Sequence, residues 1–127
     1  VTPDTIETQK RAAVEFLQFV VAGRIEEAYE RHVDMGGMHH NPYFAAGFPA
    51  LKQGIENHEK FPNKQLGVKQ VLADGDLVAV HSHVLLREGE SGIAVVHLFR
   101  FDGDRIVELW DIGQPMPADT LNSDGAF

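Results

Sequence analysis

His97 and Asp111 stand fourteen residues apart, on either side of the stretch Phe101-Asp102-Gly103-Asp104-Arg105. An imidazole and a carboxyl group are among the side chains most used to move protons. An Asp-Gly pair between alternating apolar runs signals a hairpin. Residues 97 to 111 therefore read as two strands about a tight turn, with one ionisable group toward the far end of each.

Side chains alternate between the two faces of a strand. Val95, His97, Phe99 and Phe101 share one face of the first strand. On the second, Val107, Leu109 and Asp111 share a face, and Ile106, Glu108, Trp110 and Ile112 take the other. Whether His97 meets Asp111 depends on register. A three-residue loop, Asp102 to Asp104, sets His97 opposite Leu109 and makes Asp111 its diagonal neighbour, about 7–8 Å away. A two-residue Asp102-Gly103 loop sets His97 opposite Glu108, with Trp110 diagonal. A one-residue slip exchanges faces, and both registers stay open at this point. Asp is depleted in strand interiors. Asp111 is then either solvated at a strand end or held in a pocket, where desolvation would raise the pKa of a carboxyl. Trp110, Phe99 and Phe101 are the side chains available to keep water away.

His81 and His83 lie two apart on one predicted strand and share a face with Leu77, Ala79 and Leu85. That spacing suits either a metal ion or two half-buried imidazoles with neighbouring partners. No HxxxH, acidic third ligand or Cys stands nearby, so a metal site would need a further histidine such as His40 or His97 from another element. His39-His40-Asn41-Pro42-Tyr43 joins two predicted helices. The Asn-Pro step stiffens it, which makes His40, Asn41 and Tyr43 candidates for a pocket or for a capped turn. His32 and His58 read as exposed helix residues. Lys52, Lys60, Lys64 and Lys69 read as solvated. No phosphate loop, nucleophile elbow or dinucleotide fingerprint occurs, so the expectation is chemistry without a cofactor.

The elements that must hold these groups follow from periodicity. Pro3-Asp4 opens a helix with Ala13, Phe16, Leu17, Val20 and Val21 on its buried stripe, and Gly23 follows it. A second helix carries Ile25, Ala28 and Tyr29 inward and ends near Met35-Gly36-Gly37. Residues 36–49 read as an ordered loop. A third helix spans about Pro49 to Lys60, with Leu51 and Ile55 inward and Pro62 as its stop. Four strands follow, roughly Gln65–Leu72, Leu77–Leu86, Gly92–Phe101 and Arg105–Ile112, with turns at Asp74-Gly75, Glu88-Gly89 and Asp102-Gly103. The tail from Gln114 reads as an extended packed segment. Helices followed by a strand meander give an α+β fold, a bent antiparallel sheet on helices with a pocket between the layers.

At 127 residues the chain fits one domain, 1–127, with one main core. Its net charge of −8, with histidines neutral, disfavours nucleic acid and anionic membrane surfaces. There is no cysteine, which excludes disulfides and thiolate chemistry. No apolar run is long enough to span a bilayer. No signal segment is recognised, and the expected compartment is the cytoplasm. Val78, Val80, Val84 and Leu86 alternate with the face of His81 and His83, so both faces of that strand carry apolar groups. One face is expected to meet helices and the other a partner sheet, giving a homodimer.

The loop His40-Asn41-Pro42, the segment Phe99–Asp111 and the following Gln114-Pro115 together resemble the SnoaL-like proteins of the nuclear transport factor 2-like superfamily. The resemblance runs from about Tyr29 to Phe127 and includes an asparagine-containing tail ending in Phe, as in the predicted aldol-condensation subgroup. It implies a cone-shaped α+β barrel around a deep apolar pocket, and a homodimer. In SnoaL-type polyketide cyclases an Asp on the last strand is the general acid/base of an intramolecular aldol closure, assisted by a His on the preceding strand. Asp111 matches the first position and His97 the second. The sequence departs from the subgroup in carrying His at 97, where Asp is common, and Leu at 109, where His is common. The expectation is cofactor-free proton transfer on a small hydrophobic carbonyl compound. Asp111 and His97 would be catalytic, and His40, Asn41, Tyr43, His81, His83, Phe99 and Trp110 would bind the substrate. The same pocket could instead hold a small apolar ligand without chemistry.

Overall fold

The computed structural model describes residues 2–57 and 63–127. The predicted end of the third helix at Lys60, the Pro62 stop and His58 lie outside the described residues.

Helix α1 (Pro3–Val21) starts where Thr2 accepts a bond from the Thr5 amide, with Pro in the first turn. It ends at Ala22, and Gly23 then takes a left-handed conformation, φ +82°. Its stripe buries Ala13, Phe16 and Leu17. Gln9, also buried, donates from Nε2 to the Gly103 carbonyl at 2.8 Å, which ties the tip of the last hairpin to the helix. Helix α2 (Ile25–His32) turns Ala28, Tyr29 and His32 inward.

The chain then becomes strand β1 (Val33–His39), where the sequence suggested a helix end and a loop. Helix α3 (Phe48–Asn57) buries Phe48 and Leu51. Strands β2 (Gln65–Asp74), β3 (Leu77–Leu85), β4 (Ile93–Asp102) and β5 (Arg105–Pro115) follow. The order across the sheet is β1-β5-β4-β3-β2. The meander β2 to β5 is antiparallel as expected, and β1 adds a fifth strand that runs parallel to β5. The fold class is the expected α+β one, in a mixed sheet that does not close.

Among the described residues the ladder is interrupted by a bulge in β2 between Val68 and Gln70, by one in β5 between Ile106 and Glu108, and by a wider irregularity in β1 between Val33 and Met38. Each extra residue bends its strand and increases the local twist. The inner face of the sheet packs Val78, Val80, Phe99, Phe101, Ile106 and Leu109 onto the helices. Phe16 meets both Tyr29 and Phe99 edge-on, with ring centroids 5.3 and 5.9 Å away. The outer face carries His81, His83, Arg100 and Trp110. No described helix is long and apolar enough to cross a membrane.

Candidate functional site

The β4–β5 hairpin turns through Gly103-Asp104, with Asp102 paired to Arg105 and Phe101 to Ile106. Val107 then forms the bulge, Arg100 pairs with Glu108, and His97 comes directly opposite Asp111. Neither register considered from sequence has this form. The loop has two residues but begins one residue later, and the bulge adds the final step. Residues opposite one another share a face, with Cβ atoms about 4.5–5.5 Å apart. Both side chains point to the inner face, between the sheet and α1.

There they line a cavity of about 650 Å³, within the range of ordinary small-molecule sites. Leu17, Val20 and Val21 of α1 form one wall, and Leu66, Val84, Ile93 and Val95 of the sheet form another. Pro42 and Tyr43 stand at the lip, with Tyr43 89% exposed. Lys64, read from the sequence as solvated, is half-buried in the same wall.

His97 lies over Phe99, with centroids 6.1 Å apart and planes 25° from parallel. Its Nδ1 is sealed from solvent and has no protein hydrogen-bond partner. Burial pushes its pKa down from 6.5 to about 4, against the attraction of Asp111 and helped by the charge of Lys64. The ring is therefore neutral at pH 7 and keeps one N–H to donate. No hydrogen bond joins it to Asp111, and both side chains line the cavity.

Asp111 is held from the other side. Asn41 donates from Nδ2 to Asp111 Oδ2 at 2.9 Å. The Asn41 amide has no freedom to flip, because its Oδ1 already accepts the Tyr43 amide at 2.9 Å. The loop itself is fixed by His39, which the sequence reading passed over in favour of His40. Buried His39 donates from Nε2 to the Ala45 carbonyl at 2.7 Å, and its Nδ1 accepts the Asn41 amide at 3.1 Å. These two bonds assign the Nε2–H tautomer. The signal was the last residue of β1, which turns inward at the sheet edge.

The remaining candidates lie elsewhere. Phe99 is fully buried beneath His97 and does not line the cavity. Trp110 points to the outer face, where His40 stacks on it at 4.9 Å and Arg100 lies 5.9 Å from its centroid. His40 also bonds Glu108 at 2.7 Å, and Arg100 bridges Glu108 and Asp76. His81 and His83 are on that outer face too, under the ring of Phe127 at 5.5 and 4.8 Å. His83 bonds the Ser91 carbonyl. Among the described residues no three His, Cys, Asp or Glu side chains gather as metal ligands. His40, Trp110, His81 and His83 are thus separated by the sheet from the cavity that holds Asp111. His32, expected to be exposed, is buried, stacked near Phe19 and bonded to Glu15 at 2.8 Å.

Among the described residues, two more buried polar atoms lack a protein partner, Tyr29 Oη and Ser82 Oγ. Burial raises the pKa of the Tyr29 phenol, and the charge of Asp111 adds to that shift. Tyr29 is thus neutral and electrostatically in touch with the site although it does not line the cavity.

Among curated proteins none matches this sequence closely enough to count as a relative. Solved structures share its fold. A nuclear transport factor 2-like protein of unknown function from Burkholderia xenovorans superposes with a TM-score of 0.74, at 17% identity, over 97% of this chain and 96% of that one. A ketosteroid isomerase candidate from Kribbella flavida gives 0.73 at 16% identity, over 92% and 85%. A SnoaL-like polyketide cyclase candidate from a Jannaschia species gives 0.71 at 15% identity, over 89% of each chain. At these identities the likeness is one of fold. The sequence model of the SnoaL-like domain matches residues 12–109, which takes in the site loop, His97 and the strand leading to Asp111. The chain belongs to the SnoaL-like family, within the nuclear transport factor 2-like fold.

Proposed function

We propose that the cavity carries cofactor-free general acid/base chemistry on a small hydrophobic carbonyl compound, an aldol cyclisation or an isomerisation. The observation that carries this reading is the pairing of His97 with Asp111 across one wall of an apolar cavity. Asp111, oriented by Asn41, takes a proton from the carbon next to a carbonyl. Neutral His97 donates its N–H to the enolate oxygen that forms, the type of stabilisation given by a pre-placed oxyanion donor. Asp111 then returns the proton to another carbon, or the enolate carbon attacks a second carbonyl of the same molecule and Asp111 gives the proton to the alkoxide that forms as the C=O π bond breaks. Tyr43 at the lip meets the outer end of the ligand. The family membership and the ketosteroid isomerase and polyketide cyclase candidates among similar folds support the same class of reaction.

The test is proton exchange. A panel of small apolar ketones and β-diketones is incubated with the protein in D2O, and deuterium uptake is followed by mass spectrometry. At least one member should exchange faster than in buffer, and Asp111→Asn should slow it by about 10²–10⁴-fold. Compounds that bind without any Asp111-dependent exchange would leave the second reading, a binding protein with the same pocket. The apolar cavity lining supports that reading equally.

A homodimer completes the proposal. Met38, Leu72 and Ile112 are 54, 61 and 59% exposed on the outer face of the sheet, where a second sheet would cover them. Sedimentation at micromolar concentration should give twice the chain mass, and a monomer would remove this part.

A further inference from the structure

Lys64 stands in the cavity wall just before β2, whereas Asp111 enters from β5, with β3 and β4 between them in the sheet. The cavity it helps to line is otherwise mostly apolar, with Leu66, Val84, Leu86 and Ile93 among the lining residues. No hydrogen bond or ion pair engages its ammonium among the described residues. This contrasts with Lys52, which pairs with Glu26 and Glu56 on the surface. Lys64 is near enough to His97 for its charge to help keep that ring neutral. Burial lowers its own pKa, the expected response of an ammonium that has lost water without gaining a counter-ion.

An uncompensated cation in an apolar hollow is costly unless something pairs with it. The acidic partner is not supplied by the described part of the chain. A ligand that carried one anionic group apart from its reacting carbon would supply it. The rest of such a molecule would lie against the aliphatic wall.

We infer that Lys64 is an anion anchor, and that the natural ligand is a largely apolar carbonyl compound bearing one carboxylate or similar anionic group. This rests on the cavity being the ligand site and names the class of molecule that fills it. It also sets the orientation. The anion sits at Lys64 and the enolisable carbon at Asp111, so the molecule is held at two points. An anion placed directly beside Asp111 is disfavoured by like charge, which prevents the reversed pose.

Two fluorescent probes separate the cavity from its charge. N-phenyl-1-naphthylamine is neutral, and 8-anilinonaphthalene-1-sulfonate adds a single anionic group to the same skeleton. The wild-type protein should bind the sulfonate more tightly. Lys64→Met, which keeps the aliphatic stem, should weaken the sulfonate about tenfold or more and leave the neutral probe within about twofold. Lys64→Arg should restore the sulfonate. If neither probe binds wild type, or both weaken together in Lys64→Met, the inference falls, the first result taking the cavity reading with it. If both bind equally and Lys64→Met changes neither, the cavity stands as a ligand site and only the anchor is lost.

Discussion

The side-chain amide of Asn41 reaches across seventy residues of sequence to donate to Asp111 at 2.9 Å. The bond runs from a loop that follows the edge strand β1 to the inner face of β5. It gives Asp111 one fixed partner and leaves its second oxygen for a ligand. The loop holds this position because His39 clamps it at both ring nitrogens.

Removing that bond should tell in the reaction before it tells in the fold. Asn41→Ala removes two side-chain hydrogen bonds, the one to Asp111 and the one from the Tyr43 amide, and stability in urea should fall by about 2–3 kcal/mol. Deuterium exchange should slow by about 10–100-fold as Asp111 loses its orientation. Binding of the neutral naphthylamine probe should hardly change. An unaltered exchange rate would mean that Asp111 needs no such guide.

The stability of the protein should decline on the acid side because of His97. Its pKa is about 4 in the folded chain and 6.5 as the ordinary value. The folded state therefore binds fewer protons than the unfolded state between these values. The contribution is fully present above about pH 6.5 and is lost as the pH falls from there through about 4. Urea midpoints for wild type and His97→Phe, taken at steps between pH 7.5 and 4, should fall less steeply in the variant. Parallel curves would show that His97 does not titrate in this way.

Gly37 should tolerate no side chain. A Cβ there would lie 2.2 Å from the carbonyl oxygen of Val107 and 2.9 Å from the ring of Phe48. Gly37→Ala must push β1 away from the β5 bulge and should cost about 1–3 kcal/mol. Gly36→Ala is the control. Its Cβ would approach only the movable carboxylate of Asp34, at 3.3 Å, so its thermal midpoint should stay close to wild type. Equal losses for the two would place the constraint in strand propensity and not in the close approach of backbones.

The helices and the four-strand meander were legible because their apolar residues repeat with clear periods. Strand β1 was not. Val33-Asp34-Met35-Gly36-Gly37-Met38-His39 has no alternation, and two glycines weaken any strand signal. It is an edge strand whose buried side chains are only Val33 and His39. Missing it also exchanged His39 and His40, since the strand decides which neighbour turns inward. Trp110 was separable from Asp111 by alternation alone, as adjacent strand residues cannot share a face. Neither the face nor the register that joins His97 to Asp111 could be read from the residues, because the bulge at Val107 has no turn residue to announce it. Lys64 gave no signal, because what makes it unusual is the cavity around it, which arises only when helix and sheet come together.

The bulge lies between the hairpin tip and the site, so the two ends of the hairpin are set independently. The tip is moored to α1 through Gln9, and the pairing beyond Val107 fixes which residue faces His97. With the same residues and no bulge, Arg100 would pair with Val107 and His97 with Trp110. The Trp110 ring would then turn into the cavity and the Asp111 carboxyl out to the other side. One unpaired residue in this strand thus separates a proton-handling hollow from a merely greasy one. Related chains with the same fold could gain or lose the chemistry by a slip of register, with every reactive residue still present in the sequence.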